Sequence, residues 1–170
     1  MTMQPSTQAL LSVRNLSTAF RVDGQWRTVV ENLSFDLAPR ETLAVVGESG
    51  SGKSVTALST MRLLPEINSR IQGEILFEGK NLLGLPEDEM RTLRGNRLAM
   101  IFQEPMTSLN PVLPIGFQIS ETLMYHRGMG RQAAEREALR LLERVRIPAA
   151  ATRLTDYPHQ LSGGMRQRVM

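Results

Sequence analysis

The sequence predicts an α/β fold built around a partly parallel sheet, and three observations support that prediction. The apolar run at residues 43–46 precedes a glycine-rich loop and then a helical pattern over residues 55–64. Residues 71–77 alternate between apolar and polar side chains, which is typical of a half-exposed antiparallel strand. After Gln103 the periodicity becomes helical. A helical subdomain is therefore inserted after the strands.

The overall composition excludes several kinds of protein. A chain of 170 residues with 41% hydrophobic and 22% charged residues has the composition of a globular domain with a core. The absence of cysteine excludes disulfides, thiolate metal sites and cysteine nucleophiles. No apolar run approaches the ~18 residues of a membrane span, and the first ten residues lack a signal-peptide core. A net charge of +3 and 5% aromatic residues do not indicate nucleic-acid binding.

The predicted strands come early in the chain. Residues 1–9 are polar and are expected to fray. Strands are predicted over residues 11–20 and 29–37, on either side of a turn at residues 23–24. A further buried strand is predicted over residues 98–102, next to the loop that follows.

The predicted helices have recognisable ends. Proline and three acidic residues open a helix at residue 86, and a glycine closes it at residue 95. Three prolines between residues 104 and 114 indicate an ordered loop. Apolar residues at helical spacing predict helices over residues 115–126 and 134–145. Arginines of the second of these helices are expected to lie on a solvated face.

The glycine-rich loop matches the pattern G-x-x-x-x-G-K-[ST], which is the phosphate-binding P-loop. Its residues are Gly47, Glu48, Ser49, Gly50, Ser51, Gly52, Lys53 and Ser54. Backbone N–H groups of such a loop, and of the helix that follows, point at phosphate oxygens. Lys53 would reach the β- and γ-phosphates, and the Ser54 hydroxyl would bind Mg²⁺. A chance match in a chain of this length has odds on the order of one in a hundred.

A second glycine-containing motif, Leu-Ser-Gly-Gly-Met-Arg-Gln-Arg, occupies residues 161–168. Ser162 is predicted to cap a helix, and Gly163 and Gly164 would let phosphate approach the backbone. Taken alone, a capped helix with a glycine-rich start explains the stretch equally well. The stretch resembles the LSGGQ signature of ATP-binding cassette (ABC) ATPases, with Met165 in place of the glutamine.

Further stretches resemble one branch of that family, the importers of oligopeptides, dipeptides and glutathione. Residues 102–111, Phe-Gln-Glu-Pro-Met-Thr-Ser-Leu-Asn-Pro, are similar to the Q-loop of this branch, and residues 157–160, Tyr-Pro-His-Gln, to the segment before its signature. The run Val-Arg-Ile-Pro at residues 145–148 is very similar to one in the first cassette of glutathione importers. The resemblance covers essentially the whole chain.

The resemblance implies roles for individual residues. Phe20 stands where the family has an aromatic residue that stacks on adenine, although a core phenylalanine is the alternative. Trp26, in a polar hairpin, is a weaker candidate. Gln103 would contact Mg²⁺ and the attacking water. The segment Ser162 to Gly164 would contact the γ-phosphate of ATP held by an opposing cassette. The histidines at 126 and 159 are interpreted as structural.

The resemblance also implies a domain organisation and a function. It predicts a nucleotide-binding α/β core with an antiparallel β subdomain at 10–102, the Q-loop and helical subdomain at 103–160, and the signature at 161–170. The function implied is that of an ATP- and Mg²⁺-dependent energy-coupling subunit of a peptide or glutathione importer. Its partners would be a second cassette, transmembrane permease subunits and, indirectly, a periplasmic solute-binding protein, with no nucleic acid. It would act at the cytoplasmic face of the inner membrane.

Two alternatives remain open from the sequence. The first is a nucleic-acid-associated ABC ATPase, whose coiled coils, zinc cysteines or basic arms are not found between the motifs here. The second is a product that binds nucleotide without turnover. In the family, the Walker B strand, the catalytic glutamate and the switch histidine come after the position of Met170. We therefore expect these 170 residues alone to be inactive.

Overall fold

The computed structural model describes residues 9–102 and 108–170. The chain forms two compact units, Met1–Arg91 and Thr92–Met170. The elements of the first unit are strands β1 (Leu11–Val22), β2 (Gln25–Leu37), β3 (Ser69–Phe77) and β4 (Lys80–Asn81), helix α1 (Lys53–Thr60) and a 3₁₀ turn (Leu82–Gly84). Helix α2 (Glu87–Leu93) contains the boundary between the units. The domain limits inferred from the sequence stay a prediction.

The sheet of the first unit is antiparallel, with the strand order β2-β1-β3-β4. Its first hairpin turns at Asp23 and Gly24, whose φ angles are 52° and 79°. Two successive left-handed residues match the twist of a two-residue hairpin, so the predicted turn is confirmed. The alternating pattern of residues 71–77 forms β3, where Ile75 and Phe77 are buried.

Three register shifts interrupt the pairing of β1 with β2. Next to them, Asn15 on β1 and Asn32 on β2 both take a left-handed φ of 48°, which asparagine tolerates better than most residues. The Asn15 N–H donates to the Ser34 hydroxyl (2.8 Å), and the Asn32 N–H donates to the Ser17 hydroxyl (3.0 Å). Since both N–H groups have partners, these bulges are ordered parts of the sheet.

Helix α1 packs against β1 and β2 but is shorter than the sequence pattern suggests. It ends at Thr60, whereas the apolar periodicity predicts a helix as far as residue 64. Arg62 takes a φ of 50°, and its guanidinium donates to the carbonyls of Leu82 (3.1 Å) and Leu85 (2.6 Å). These long-range hydrogen bonds favour a turn here, which the periodicity does not predict.

Two predicted buried strands are wrong. Residues 43–46 and 98–102 form no strand, and Val46 and Ile101 are 88% and 76% exposed. Extended backbone needs a neighbouring strand for its N–H and C=O groups. The parallel pairing found in the described residues is an isolated bridge between Arg94 and Leu98. The parallel part of the predicted sheet is therefore not formed in the part of the chain that the structure describes.

The second unit is helical around its own core. It contains α3 (Ile115–Arg127), α4 (Arg131–Arg144), α5 (Ala150–Arg153), a 3₁₀ turn (Pro158–Gln160) and α6 (Gly163–Val169). The helices predicted over residues 115–126 and 134–145 are confirmed, with small changes at their ends. The buried core consists of Leu109, Ile115, Leu142, Ile147, Ala150 and Leu161.

Each unit has surface ion pairs. The Arg14 guanidinium lies 2.7 Å from the Asp36 carboxylate in the first unit, and that of Arg140 lies 2.9 Å from Glu137 in the second. Hydrogen bonding from each arginine lowers the pKa of its carboxyl partner. The side chains of Arg131 and Arg140 on α4 are 84% and 71% exposed, so the predicted solvated face is confirmed for them. No helix within residues 9–102 and 108–170 has the length and apolarity to cross a bilayer.

Candidate nucleotide-binding site

The P-loop leads directly into helix α1 and rests on strand β2. Gly52 occupies the N-cap position with a left-handed φ of 90°. A Cβ atom there would lie 3.0 Å from Val30 Cγ2 and 3.1 Å from the Val29 carbonyl oxygen. Glycine therefore satisfies two requirements at this position, the backbone conformation and the close approach to the strand.

The Lys53 side chain folds over the loop that precedes it. Its ammonium group donates to the carbonyl oxygens of Gly47 (2.8 Å) and Glu48 (2.7 Å) and to the Ser51 hydroxyl (3.3 Å). An ammonium group has three donors and no acceptor, so these contacts use its full donor capacity. The positive charge is thereby held at the centre of the loop's curve.

The start of α1 also presents backbone donors. The first intrahelical hydrogen bond runs from the Thr56 N–H to the Gly52 carbonyl (2.8 Å). The N–H groups of Lys53, Ser54 and Val55 thus have no partner within the helix. Together with the helix dipole they favour an anion at this end. The Ser54 residue is exposed, so its hydroxyl is accessible to a cation held by the same anion.

The two aromatic candidates lie on opposite faces of the sheet. Phe20 follows two residues after Thr18 on β1, and the Thr18 hydroxyl contacts α1. Alternate residues of a strand share a face, so Phe20 is on the face that α1 covers. Trp26 lines a cavity with Ala19 on the other face, where the Arg70 guanidinium lies 3.9 Å from the Trp26 ring centroid. This cation–π contact explains why Trp26 is on a polar hairpin.

The glycines of the second motif lie at the start of α6 in the second unit. The Ser162 hydroxyl accepts a hydrogen bond from the Met165 N–H (3.3 Å), which confirms the predicted N-cap. Leu161 is buried in the helical core. A Cβ atom placed on Gly163 or Gly164 would have nothing within 4 Å. The motif is therefore fixed on one side and open on the other.

Arg168 attaches the signature helix to the end of α4. Its guanidinium donates to the carbonyls of Val145 (3.2 Å) and Arg146, and also to the Gly164 carbonyl of its own helix (3.4 Å). The Val145 and Arg146 carbonyls lie at the carboxyl end of α4, where carbonyl groups lack helical partners and attract cations. The sequence pattern alone does not indicate this role of Arg168.

The predicted site residues are distributed between the two units. The P-loop at residues 47–54 and Phe20 belong to Met1–Arg91, and Ser162 to Gly164 belong to Thr92–Met170. Gln103 lies outside the described residues. In the described part of the chain no group of three or more acidic, histidine or cysteine side chains could hold a metal.

A buried pair of hydroxyls, Thr18 and Ser59, joins β1 to α1 and is not predicted from the sequence motifs. Each is a polar residue on the apolar face of its element, and that departure from the pattern is the feature that could have indicated them.

Comparison with protein families completes this description. The model of the ABC transporter family matches residues 30–170. The chain belongs to the ABC transporter family. The resemblance inferred from the P-loop and the signature is thereby confirmed.

Relatives in this family carry names related to import. A Brucella abortus protein named for peptide import ATP binding is 53% identical over 170 residues, covering 100% of this chain and 51% of the relative. The glutathione import ATP-binding protein GsiA of Pectobacterium atrosepticum is 56% identical over 167 residues, covering 95% of this chain and 27% of the relative. The chain thus spans about half the length of the Brucella relative and about a quarter of the length of GsiA.

Solved structures show the fold independently. The dimeric structure of MJ0796, a bacterial ABC transporter cassette, superimposes with a TM-score of 0.79 at 23% identity, covering 94% of this chain and 66% of that one. A second MJ0796 structure, titled as a post-hydrolysis state bound to ADP and Pi, matches equally well. The predicted ABC cassette fold is therefore confirmed.

Proposed function

We propose that this chain binds ATP together with Mg²⁺ at the P-loop and belongs to the energy-coupling subunit of an importer for peptides or glutathione. The observation that carries the proposal is the geometry around Lys53, whose ammonium group lies inside the loop, 2.7–2.8 Å from two carbonyl oxygens. Beside it, three N–H groups at the start of α1 lack helical partners. Such a combination of charge and donors suits a di- or triphosphate.

Each part of the site has a role in the proposed binding. Phosphate oxygens replace the loop carbonyls as acceptors of the Lys53 ammonium, since a charged acceptor forms the stronger hydrogen bond. The Ser54 hydroxyl is a ligand of the Mg²⁺ ion that the phosphates bring. Phe20 stacks on adenine from the face of the sheet that α1 covers. Gln103 is the proposed contact to Mg²⁺ and water.

The proposal assigns the second motif to a neighbouring cassette. Ser162, Gly163 and Gly164 contact the γ-phosphate of ATP bound by a second cassette, so that the working unit is a dimer. The open space beside both glycines supports this role, because a ligand can approach the backbone there. The MJ0796 cassette of the same fold is titled as a dimer.

The transport role is supported by the relatives. Their names include peptide import and glutathione import, and an importer of either solute couples an ATPase to permease subunits. The proposed partners are therefore a second cassette, permease subunits and, through them, a periplasmic solute-binding protein. The proposed location is the cytoplasmic face of the inner membrane.

The test is a Lys53→Ala variant. ATP affinity, measured by calorimetry with Mg²⁺ present, should fall roughly 10- to 100-fold, because hydrogen bonds from a charged donor contribute about 1.5–3 kcal/mol. Lys80, the other lysine of the chain, lies exposed on β4 and offers a matched control. Lys80→Ala should bind ATP as the unaltered chain does. Unchanged affinity in a folded Lys53→Ala variant would refute the site.

A further inference from the structure

A hydrogen-bonded pair of hydroxyls lies between the P-loop helix and the sheet. The Thr18 side chain on β1 and the Ser59 side chain on α1 are both fully buried, and their hydroxyl oxygens are 2.9 Å apart. Ser59 also donates to the Val55 carbonyl of its own helix (2.7 Å). A serine hydroxyl has one proton. The Thr18 hydroxyl is therefore the donor to Ser59, and the chain of hydrogen bonds has a single direction.

This pair and Gly52 attach the two ends of α1 to neighbouring strands. At the amino end, Gly52 lies so close to Val29 and Val30 that a side chain would not fit. At the carboxyl end, Ser59 is bonded to Thr18 on β1. Thr18 and Val30 are themselves paired across the two strands. These two contacts oppose sliding of the two-turn helix along the sheet and rotation about its own axis.

The attachment matters because α1 and β1 carry different parts of the proposed site. The P-loop and its lysine are at the amino end of α1, whereas Phe20 is two residues beyond Thr18 on β1. The internal contacts of the loop, from Lys53 to Gly47 and Glu48, do not involve β1. The loop can therefore keep its own shape even if α1 moves relative to the strand.

We propose that Thr18 and Ser59 are positioning residues that fix the distance between the phosphate-binding loop and the base-stacking Phe20. This inference rests on the proposed function. Apolar contacts alone are non-directional and tolerate small shifts, whereas a buried hydrogen bond fixes one arrangement. Without the pair, phosphate binding persists, but phosphate and base are no longer held together in the optimal geometry.

The inference predicts a selective loss of affinity. In the full chain, Thr18→Val and Ser59→Ala should weaken ATP binding about three- to tenfold, as expected for one neutral hydrogen bond. Binding of inorganic tripolyphosphate, which has no base, should stay unchanged. Thr18→Ser keeps the hydroxyl and should restore the ratio of the two affinities. Thr60→Val is the matched control, because the hydrogen bond of the Thr60 hydroxyl in the described part of the chain goes to the Thr56 carbonyl of its own helix.

A double-mutant cycle tests whether the effect of the hydroxyl pair depends on the contact between Phe20 and the base. In a Phe20→Ala background, Ser59→Ala should no longer change the ratio of ATP to tripolyphosphate affinity, since the contact it positions is already absent. The Thr18→Val, Ser59→Ala double variant leaves no hydroxyl of the pair unpaired, so it is expected to be less destabilised than a single variant. The two affinities can therefore be measured on the double variant if a single variant fails to fold.

Two outcomes overturn the inference. An unchanged affinity ratio in folded variants would show that the pair does not position the base. Equal losses for ATP and tripolyphosphate would show that the pair only supports the P-loop. If the unaltered chain binds neither ligand, the proposed function fails instead, which is a different result.

Discussion

The P-loop and the signature are both glycine-containing starts of helices, yet the structure builds them in opposite ways. At the P-loop, Gly52 takes a left-handed conformation against β2, and Lys53 closes the loop from inside. At the signature, the Ser162 side chain caps the helix, and Gly163 and Gly164 face open space. The P-loop glycine is required by the backbone conformation and the close packing of the protein itself. The signature glycines leave free space in which a ligand could contact the backbone.

Because of this difference, the glycine of the P-loop is expected to matter for folding, and the glycines of the signature for binding. A glycine whose side chain would collide with the protein is required for the fold, whether or not a ligand ever binds. A glycine beside empty space has no such requirement, and the free space is compatible with a ligand that approaches the backbone there. Alanine substitutions at equivalent places should therefore behave differently in stability and in binding.

The largest expected effect is that of Gly52→Ala. The strained φ of 90° and the contacts of 3.0–3.1 Å with β2 should cost about 1–3 kcal/mol of unfolding free energy. Gly164→Ala, the matched change, should be neutral or slightly stabilising, because alanine favours a helix. The fluorescence of Trp26, the single tryptophan, reports urea unfolding of the first unit, and hydrogen exchange reports the second. Equal destabilisation by the two variants would contradict the statement that the P-loop glycine, but not the signature glycine, is required for the fold.

A smaller effect is expected at Ser162, where structure and proposed function can be separated. Ser162→Ala removes the cap of α6 and should cost about 0.5–2 kcal/mol locally, seen as faster hydrogen exchange near the signature. Ser162→Asp keeps a capping oxygen but adds negative charge beside the open glycines. It should preserve exchange protection while abolishing ATP-driven dimerisation, measured by light scattering. ATP-driven dimers of Ser162→Asp would contradict the role in an opposing site.

The smallest effect concerns the surface ion pairs of the two units. The hydrogen bond from Arg14 lowers the pKa of Asp36 from its ordinary value of 3.8. The pair therefore stabilises the first unit above that value, and this contribution is lost as the pH falls through the lowered pKa. Between about pH 5 and pH 3, the urea midpoint reported by Trp26 should fall less in Asp36→Asn than in the unaltered chain.

Glu137 provides the control for that experiment. Its pKa is likewise lowered, by Arg140, but it lies on α4 in the second unit. Glu137→Gln should leave the pH dependence of the Trp26 signal as it is. A change there would mean that the two units do not unfold as separate bodies.

Much of the fold is predictable because local chemistry determines it. The turn at Asp23 and Gly24, the alternation in β3 and the periodicity of α3 and α4 all correspond to elements of the structure. The P-loop is equally local, since its glycines, lysine and helix start are consecutive. Each of these features depends on residues only a few positions apart.

The features that the sequence does not predict depend on distant residues. The early end of α1 depends on hydrogen bonds from Arg62 to carbonyls about twenty residues away. The apolar runs at residues 43–46 and 98–102 have the composition of buried strands, but a strand needs a neighbour, and their composition does not show which one. The Thr18–Ser59 pair joins residues 41 positions apart. The departure from the apolar pattern in each segment can indicate the two residues one by one, but it does not indicate that they pair with each other.

The bulges beside Asn15 and Asn32 have a consequence for how this hairpin tolerates changes in chain length. In a strand, a shift of one residue exchanges the two faces. Val13 pairs with Phe35 and Leu16 with Leu33, so β1 advances three residues where β2 advances two, and the extra residue allows both Val13 and Leu16 to be buried. Deleting Asn15 would leave Val13 and Leu16 two positions apart, which is the regular spacing of residues on one face. A single-codon deletion at this point can therefore be absorbed by removing the bulge, whereas deleting Ala19, in the regularly paired part of β1, would move Phe20 to the opposite face. The face on which each residue of the hairpin lies is thus set at two positions, by Asn15 and Asn32 and by the serine hydroxyls that accept their N–H groups.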